Sequence, residues 1–196
     1  MNHVVSRPSC LLSGLVTQSK MEQLLGELYD IKPNDEERRA RTDQPTTITE
    51  LRLEAIEDVG LPTLMEEALI LVTKTLGVEY GRVLELQSDA ENLLLRSGKG
   101  WKEGFVGQAT VQLDSPSGYT LEAKEPMVFE DVYSETRFSV PPLLHEHGVR
   151  SSVLVPICDQ EQPLGVLGAD TTEQRAFTED DADYLQAIAE VFATAR

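Results

Sequence analysis

A chain of 196 residues is long enough for one well-buried domain and an extension, and too short to hold two full domains comfortably. Its 34 Asp and Glu against 17 Lys and Arg leave a formal charge of −17, a field that repels phosphate backbones and anionic lipid, so no nucleic acid and no membrane is expected as a partner. The two cysteines, Cys10 and Cys158, have no CxxC spacing and argue for neither a disulfide framework nor a structural zinc, which makes the cytoplasm the default compartment.

At the start of the chain Leu11, Leu12, Leu15 and Val16 are interrupted by Ser13, Gly14 and Gln18, and only Arg7 precedes them as a basic residue. That is a poor signal-peptide pattern, and no later run approaches the ~20 apolar residues of a membrane span. Over residues 18–30, Met21, Leu24, Leu25, Leu28 and Tyr29 recur at helical spacing, so a short amphipathic helix is predicted. Residues 32–45 are polar and charged between two prolines and read as a linker. Residues 1–45 are therefore a helical extension, and a domain is expected over 46–196.

Thr47 and Glu50 have capping-box spacing and open a helix whose apolar face is Ile48, Leu51, Ala55, Ile56 and Val59. Gly60 breaks it. Pro62 suits the first turn of a second helix with the stripe Leu64, Met65, Ala68, Leu69, Val72 and Leu76, and Gly77 is its stop. Beyond it come short aliphatic runs at 80–87, 93–97, 109–113, 127–131, 152–158 and 164–171, which read as six strands. The polar breaks at 88–92 and 159–163 fit hairpins and argue for mainly antiparallel, up-and-down pairing. Pro141, Pro142, Leu143 and Leu144 predict a short helix over the sheet before Gly148. Thr178 with Glu179, Asp180 and Asp181 predicts a capped closing helix with Leu185, Ile188, Ala189 and Phe192 on one stripe.

The predicted class is thus α+β: a six-stranded antiparallel sheet with flanking helices. Its phrases come in a specific order: GWKEGFVGQAT at 100–110, SGYTLEAKEPMVFEDVYSETRF at 117–138, HGVRSSVLVPI at 147–157, PLGVLGADTT at 163–172 and AFTEDDADYLQAIAEVFA at 176–193. Together they resemble a GAF domain of the bacterial or archaeal signal-transduction type, within the wider GAF and PAS class of sensors. Gly100, Gly104 and Gly107 permit tight reversals around Trp101, and Gly165 and Gly168 permit close approach in the sixth strand.

The resemblance implies a non-catalytic regulatory domain that binds an unknown small molecule in a pocket between the sheet and the crossing segments at 117–124 and 131–150. Tyr119, Phe129, Asp131, Phe138, Leu144, His147 and Arg150 are the ligand-binding residues it suggests. It also suggests a homodimer whose interface would use Leu51, Ala55, Ile56, Leu185, Ile188 and Phe192, and an effector such as a histidine kinase or another output domain. A ligand-free interaction module is the alternative reading.

The cofactor is not named by the sequence. Photoreceptor relatives attach a bilin through a cysteine in the segment before the fifth strand, whereas residues 134–150 contain none, which argues against covalent bilin. Phe177 and Asp181 match part of the cyclic-nucleotide pattern, but its upstream Asn-Lys pair and following glutamate are missing. Reduction of free methionine sulfoxide needs a nucleophilic and a resolving thiol, and Cys158 is the domain's single cysteine. His145 and His147 lack a third metal ligand of suitable spacing, so no metal site is expected. Glycines at 98, 100, 104 and 107 fail the dinucleotide fingerprint because Glu103 stands where it needs glycine.

Overall fold

The computed structural model describes residues 60–195. The helices expected over 18–30 and from Thr47 lie outside the described residues, as do Leu51, Ala55 and Ile56. In chain order the elements are α1 (Leu61–Leu76), β1 (Tyr80–Leu86), β2 (Asn92–Lys99), β3 (Thr110–Gln112), α2 (Pro116–Ala123), β4 (Met127–Phe129), α3 (Pro142–Glu146), β5 (Ser151–Asp159), β6 (Gln162–Thr171) and α4 (Glu179–Thr194).

Local chemistry sets both ends of α1. Proline occupies its first turn, where no backbone donor is needed, and Gly77 closes it at φ 62. The Val78 amide returns to the Thr73 carbonyl at 3.0 Å, completing a Schellman-type end. Its inward stripe of Leu64, Ala68, Leu69, Val72 and Leu76 is buried. At α4 the Thr178 hydroxyl accepts from the Asp181 amide, while the Asp181 carboxylate accepts from the Thr178 amide at 2.9 Å. Both orphan donors are satisfied, as the sequence predicts for Thr178.

The six strands form one sheet in the order β3-β2-β1-β6-β5-β4. Every neighbouring pair is antiparallel. The hairpins expected at 88–92 and 159–163 join β1 to β2 and β5 to β6. The order is not a plain up-and-down meander, however, because the first and last strands meet at the centre of the sheet. Between β3 and β4 the chain must therefore travel from one edge to the other, so α2 crosses over one face of the sheet before β4 joins it as the far edge strand, and α3 follows on the same face. The crossing segment expected at 117–124, for which no helix is predicted, is the helix α2, capped by the Ser115 hydroxyl, which accepts from the Gly118 amide at 3.2 Å.

Alternation along the strands builds two cores. Val83, Val153, Val155, Leu167 and Ala169 face α1 and α4, where Leu185, Ile188 and Phe192 join them. Leu84, Leu93, Leu95, Leu154 and Val166 face the crossing segments and pack with Leu121, Phe129, Val132 and Leu143. A fully buried aliphatic or aromatic side chain stabilises by about 1.5–3 kcal/mol, so each core contributes on the scale of the whole domain's stability before chain entropy is set against it.

Candidate functional site

The sheet face under the crossing segments carries charge at its centre. Tyr80, Arg82 and Leu84 alternate onto this face from β1, and Val166, Gly168 and Asp170 do so from β6, with Arg82 opposite Gly168 and Tyr80 opposite Asp170. Arg82 and Asp170 have no solvent exposure, and Arg82 Nη2 lies 3.0 Å from Asp170 Oδ1. From β5, the Ser152 hydroxyl donates to the same Oδ1 at 2.5 Å. Burial pushes the Asp170 carboxyl above its ordinary value and the Arg82 guanidinium below its own, and their mutual attraction opposes both displacements.

Glycine on one neighbouring strand makes room for this guanidinium, and glycine on the other makes room for Trp101. A Cβ at Gly168 would stand 2.6 Å from Leu154 Cδ2 and 3.1 Å from Arg82 Nε. On the other side Arg82 pairs with Gly98, where a Cβ would stand 2.6 Å from Trp101 Cδ1. The Trp101 ring lies over Arg82, its centroid 5.9 Å from the guanidinium carbon. Gly100 places that ring: its φ is +88, and a Cβ there would collide with the Glu79 carbonyl.

The hydrogen bonding of the pair is incomplete. Nε, Nη1 and Nη2 of Arg82 and Oδ2 of Asp170 are buried without a hydrogen-bond partner among the described residues. The ion pair is thus held by proximity without hydrogen-bond alignment. Most buried polar groups in folded proteins are paired, so this concentration of unmet donors and acceptor in one place is unusual.

An aromatic cluster adjoins Arg82 through Trp101. Trp101 and Tyr80 have centroids 4.8 Å apart, and His147 meets Trp101 at 4.8 Å and Phe105 at 4.9 Å, both edge-on. The Trp101 indole donates to the Gly81 carbonyl at 2.8 Å. His147 accepts at Nε2 from the Lys102 amide, at 3.0 Å, which leaves the ring proton on Nδ1, where it donates to the Leu143 carbonyl at 2.8 Å. Both nitrogens are therefore committed to backbone.

The residues expected to bind ligand fall into three groups. Tyr119, Phe129 and Phe138 come together, with centroids 6.3 Å and 5.4 Å apart and Arg137 over the Tyr119 ring at 4.7 Å. His147 and Leu144 are buried, His147 as the tie between α3 and the Trp101 loop. Asp131 and Arg150 face outward as an exposed ion pair at 2.6 Å, with Asp131 also accepting from the Tyr133 amide at 3.0 Å. Leu185, Ile188 and Phe192, expected at a dimer interface, are at most 2% exposed and pack inside the single subunit's helix-side core. Asp181, part of the nucleotide-like pattern, is occupied by its capping box and by Arg175 at 3.7 Å.

Two hollows lie away from the residues expected to bind ligand. One of about 30 Å³ is bordered by Leu61, Met65, Ile157 and Phe192, and a surface hollow of about 210 Å³ is bordered by Glu66, Ile70, Ser97 and Val106. Among the described residues there is no group of three or more His, Cys, Asp and Glu able to hold a metal ion, and no helix is long and apolar enough to cross a membrane.

Sequence reasoning did not find Arg82 and Asp170. A signal was present: Arg82 stands in the aliphatic strand YGRVLEL, on the same side as Leu84, and Asp170 closes LGAD on a buried strand.

The description of the GAF domain matches residues 60–195 of the chain. No curated protein sequence matches. Among solved structures, the chain is similar to the GAF domain from an Acinetobacter phosphoenolpyruvate-protein phosphotransferase, at 21% identity and TM-score 0.70, covering 78% of this chain and 91% of that one. It is also similar to the free methionine-R-sulfoxide reductase from Neisseria meningitidis in complex with its substrate, at 16% identity and TM-score 0.67 over 84% and 92% of the two chains. A phycoerythrobilin-bound GAF domain from a cyanobacterial phytochrome is 19% identical, with TM-score 0.63 over 79% and 95%. At these identities the likeness is one of fold.

Proposed function

Since the chain belongs to the GAF domain family, a small-molecule-binding sensory fold, we propose that it is a non-catalytic sensor that takes its ligand at the Arg82–Asp170 centre beneath the crossing segments. The observation that carries this reading is the unmet hydrogen bonding of that centre: three guanidinium nitrogens and a carboxylate oxygen, buried and without a hydrogen-bond partner among the described residues. A buried ion pair is expensive unless its remaining hydrogen bonds are made, and a bound molecule would make them. The setting suits binding over turnover, because His147, the one imidazole beside Trp101, has both nitrogens engaged with backbone.

Transmission follows from the two-sided strands. Arg82 and Asp170 belong to β1 and β6, and the alternate residues Val83, Leu167 and Ala169 of those strands pack against α1 and α4. A ligand that draws the pair into a new position shifts the bed on which the terminal helices rest, and its differential affinity sets the size of the response. An output partner such as a histidine kinase would read the pose of those helices. The bilin-bound and substrate-bound neighbours support a ligand role for the fold.

Native mass spectrometry of the freshly purified full chain, paired with a thermal-shift screen of metabolites, nucleotides and tetrapyrroles, tests the reading. A retained small molecule, or a Tm that rises with one compound and not in Arg82→Met, is the expected result. A bare polypeptide mass together with a flat screen would remove it.

A further inference from the structure

The chemistry left open at the centre also says what kind of molecule fits. Arg82 offers only donors, and three of its nitrogens lack a hydrogen-bond partner among the described residues; Asp170 Oδ2 offers only an acceptor, and it too lacks one. The two groups are adjacent, with Nη2 and Oδ1 3.0 Å apart, so a single small ligand edge can reach both. A simple anion would satisfy the guanidinium and leave its charge beside an unpaired carboxylate oxygen. A simple amine would do the reverse. The pair is already neutral as a unit, and any net charge brought into this fully buried position would stand uncompensated.

Resting on the sensor reading above, we propose that the Arg82–Asp170 centre recognises a compact ligand of zero net charge that presents an acceptor oxygen to Arg82 and, beside it, an N–H donor to Asp170. Two kinds of molecule have that edge: a zwitterionic α-amino acid, through carboxylate and ammonium, and a cis-amide or lactam ring, through carbonyl and ring N–H. Ser152 positions the carboxylate by holding Oδ1, which leaves Oδ2 to the ligand. Gly168 leaves space for the Arg82 side chain and Gly98 for Trp101, whose ring lies over the guanidinium.

The chain contains one tryptophan, so its fluorescence reports on this site alone. The full chain is titrated with L-alanine and L-methionine as amino acids, uracil and 2-pyrrolidone as lactams, propionate as an acceptor-only probe and propylamine as a donor-only probe. At least one two-group compound is expected to change Trp101 emission with a Kd tenfold or more below those of propionate and propylamine. Whichever arm responds distinguishes amino acid from lactam. Asp170→Asn and Arg82→Met are each expected to weaken that compound at least tenfold, while Asp170→Asn leaves propionate binding within about twofold; the wild-type titrations decide the matter even if a variant fails to fold. Equal binding of propionate or propylamine overturns the proposal and leaves the sensor reading standing, as does native mass spectrometry showing a retained ligand without this paired edge. A chain that binds nothing, and whose high-resolution structure shows only water on Arg82 and Asp170, overturns both.

Discussion

The two faces of the sheet are made by the same strands and solved in opposite ways. On the helix side, Val83, Val153, Val155, Leu167 and Ala169 meet the stripes of α1 and α4 without a charged group among them. On the other side the core has comparable aliphatic and aromatic packing, yet an arginine and an aspartate stand at its centre with most of their hydrogen bonds unmade. Packing satisfies one face by itself. The other keeps a polar demand that the described residues do not meet, and in the proposed reading that is where a ligand contributes binding energy.

The sharpest way to break that contrast is to remove one member of the pair. Arg82→Met leaves the Asp170 carboxylate buried without its counterion, and Asp170→Leu does the same to the guanidinium; either should cost about 3–5 kcal/mol in urea unfolding followed by fluorescence. Arg82→Met combined with Asp170→Leu removes both charges, and its stability should return to within about 1 kcal/mol of the parent or exceed it, because an apolar pair of similar volume replaces a half-satisfied ionic one. The double variant should bind no ligand. Additive losses instead of recovery would show that the pair is a structural necessity, and the two faces would then differ in chemistry without differing in purpose.

On the helix face the expected loss has a different origin. Leu185 is fully buried against the sheet, and Leu185→Ala should cost about 2–5 kcal/mol through lost transfer energy and the cavity left behind. Phe138, half-buried over the crossing face, loses less area on truncation, so Phe138→Ala should cost less than Leu185→Ala in the same assay. A reversal of that order would mean that the crossing segments, and not the terminal helices, hold the domain together.

These differences explain what could be read in advance. The aliphatic runs gave six strands because each is bounded by turn residues and buried on at least one side, and Pro62, Gly77 and Thr178 act locally, so their roles in helix ends follow from their own chemistry. The central position of β6 beside β1 was not legible, since antiparallel hairpins alone fit a meander equally well. Helix α2 was missed because PSGYTLEA has almost no amphipathic stripe and contains Gly118; only Ser115 before Pro116 marks its start. In the site, Tyr119, Phe129 and Phe138 could be grouped from the resemblance, but Asp131 and Arg150 are polar residues that found each other at the surface. The Arg82–Asp170 contact joins strands far apart in sequence, and nothing local ties the two residues together. A charged residue in each of two aliphatic strands was the available sign.

A smaller effect belongs to the helix caps. Thr178→Ala deletes the hydroxyl that accepts from the Asp181 amide and should cost about 1 kcal/mol, seen as a modest fall in Tm. Asp181→Asn keeps an acceptor for the Thr178 amide and loses the charge at the helix N-terminus, so it should cost less. If both changes also alter the ligand response while leaving affinity unchanged, the start of α4 lies on the route from the centre to the terminal helices.

The smallest predicted effect comes from acid, and its sign separates exposed from buried carboxyls. The hydrogen bond from Arg150, helped by the Tyr133 amide, holds the Asp131 carboxyl below its ordinary value of 3.8. A carboxyl depressed in the folded state contributes stability above its ordinary value and loses it as pH falls through the folded one. Because the pair is exposed, the contribution should be below about 1 kcal/mol and should fade in high salt. Glu79 works in the same direction: burial pushes its carboxyl up, but hydrogen bonds from Thr172 and Thr171 outweigh this and leave it below 4.5. Asp170 has the opposite sign, since burial raises it and stability is lost as pH climbs from 3.8 towards its raised value. Unfolding measured from pH 2 to 7 should therefore show Arg150→Met converging on the parent at the acid end and falling below it near neutrality. A constant offset across the whole range would mean that Arg150 acts through packing and not through Asp131.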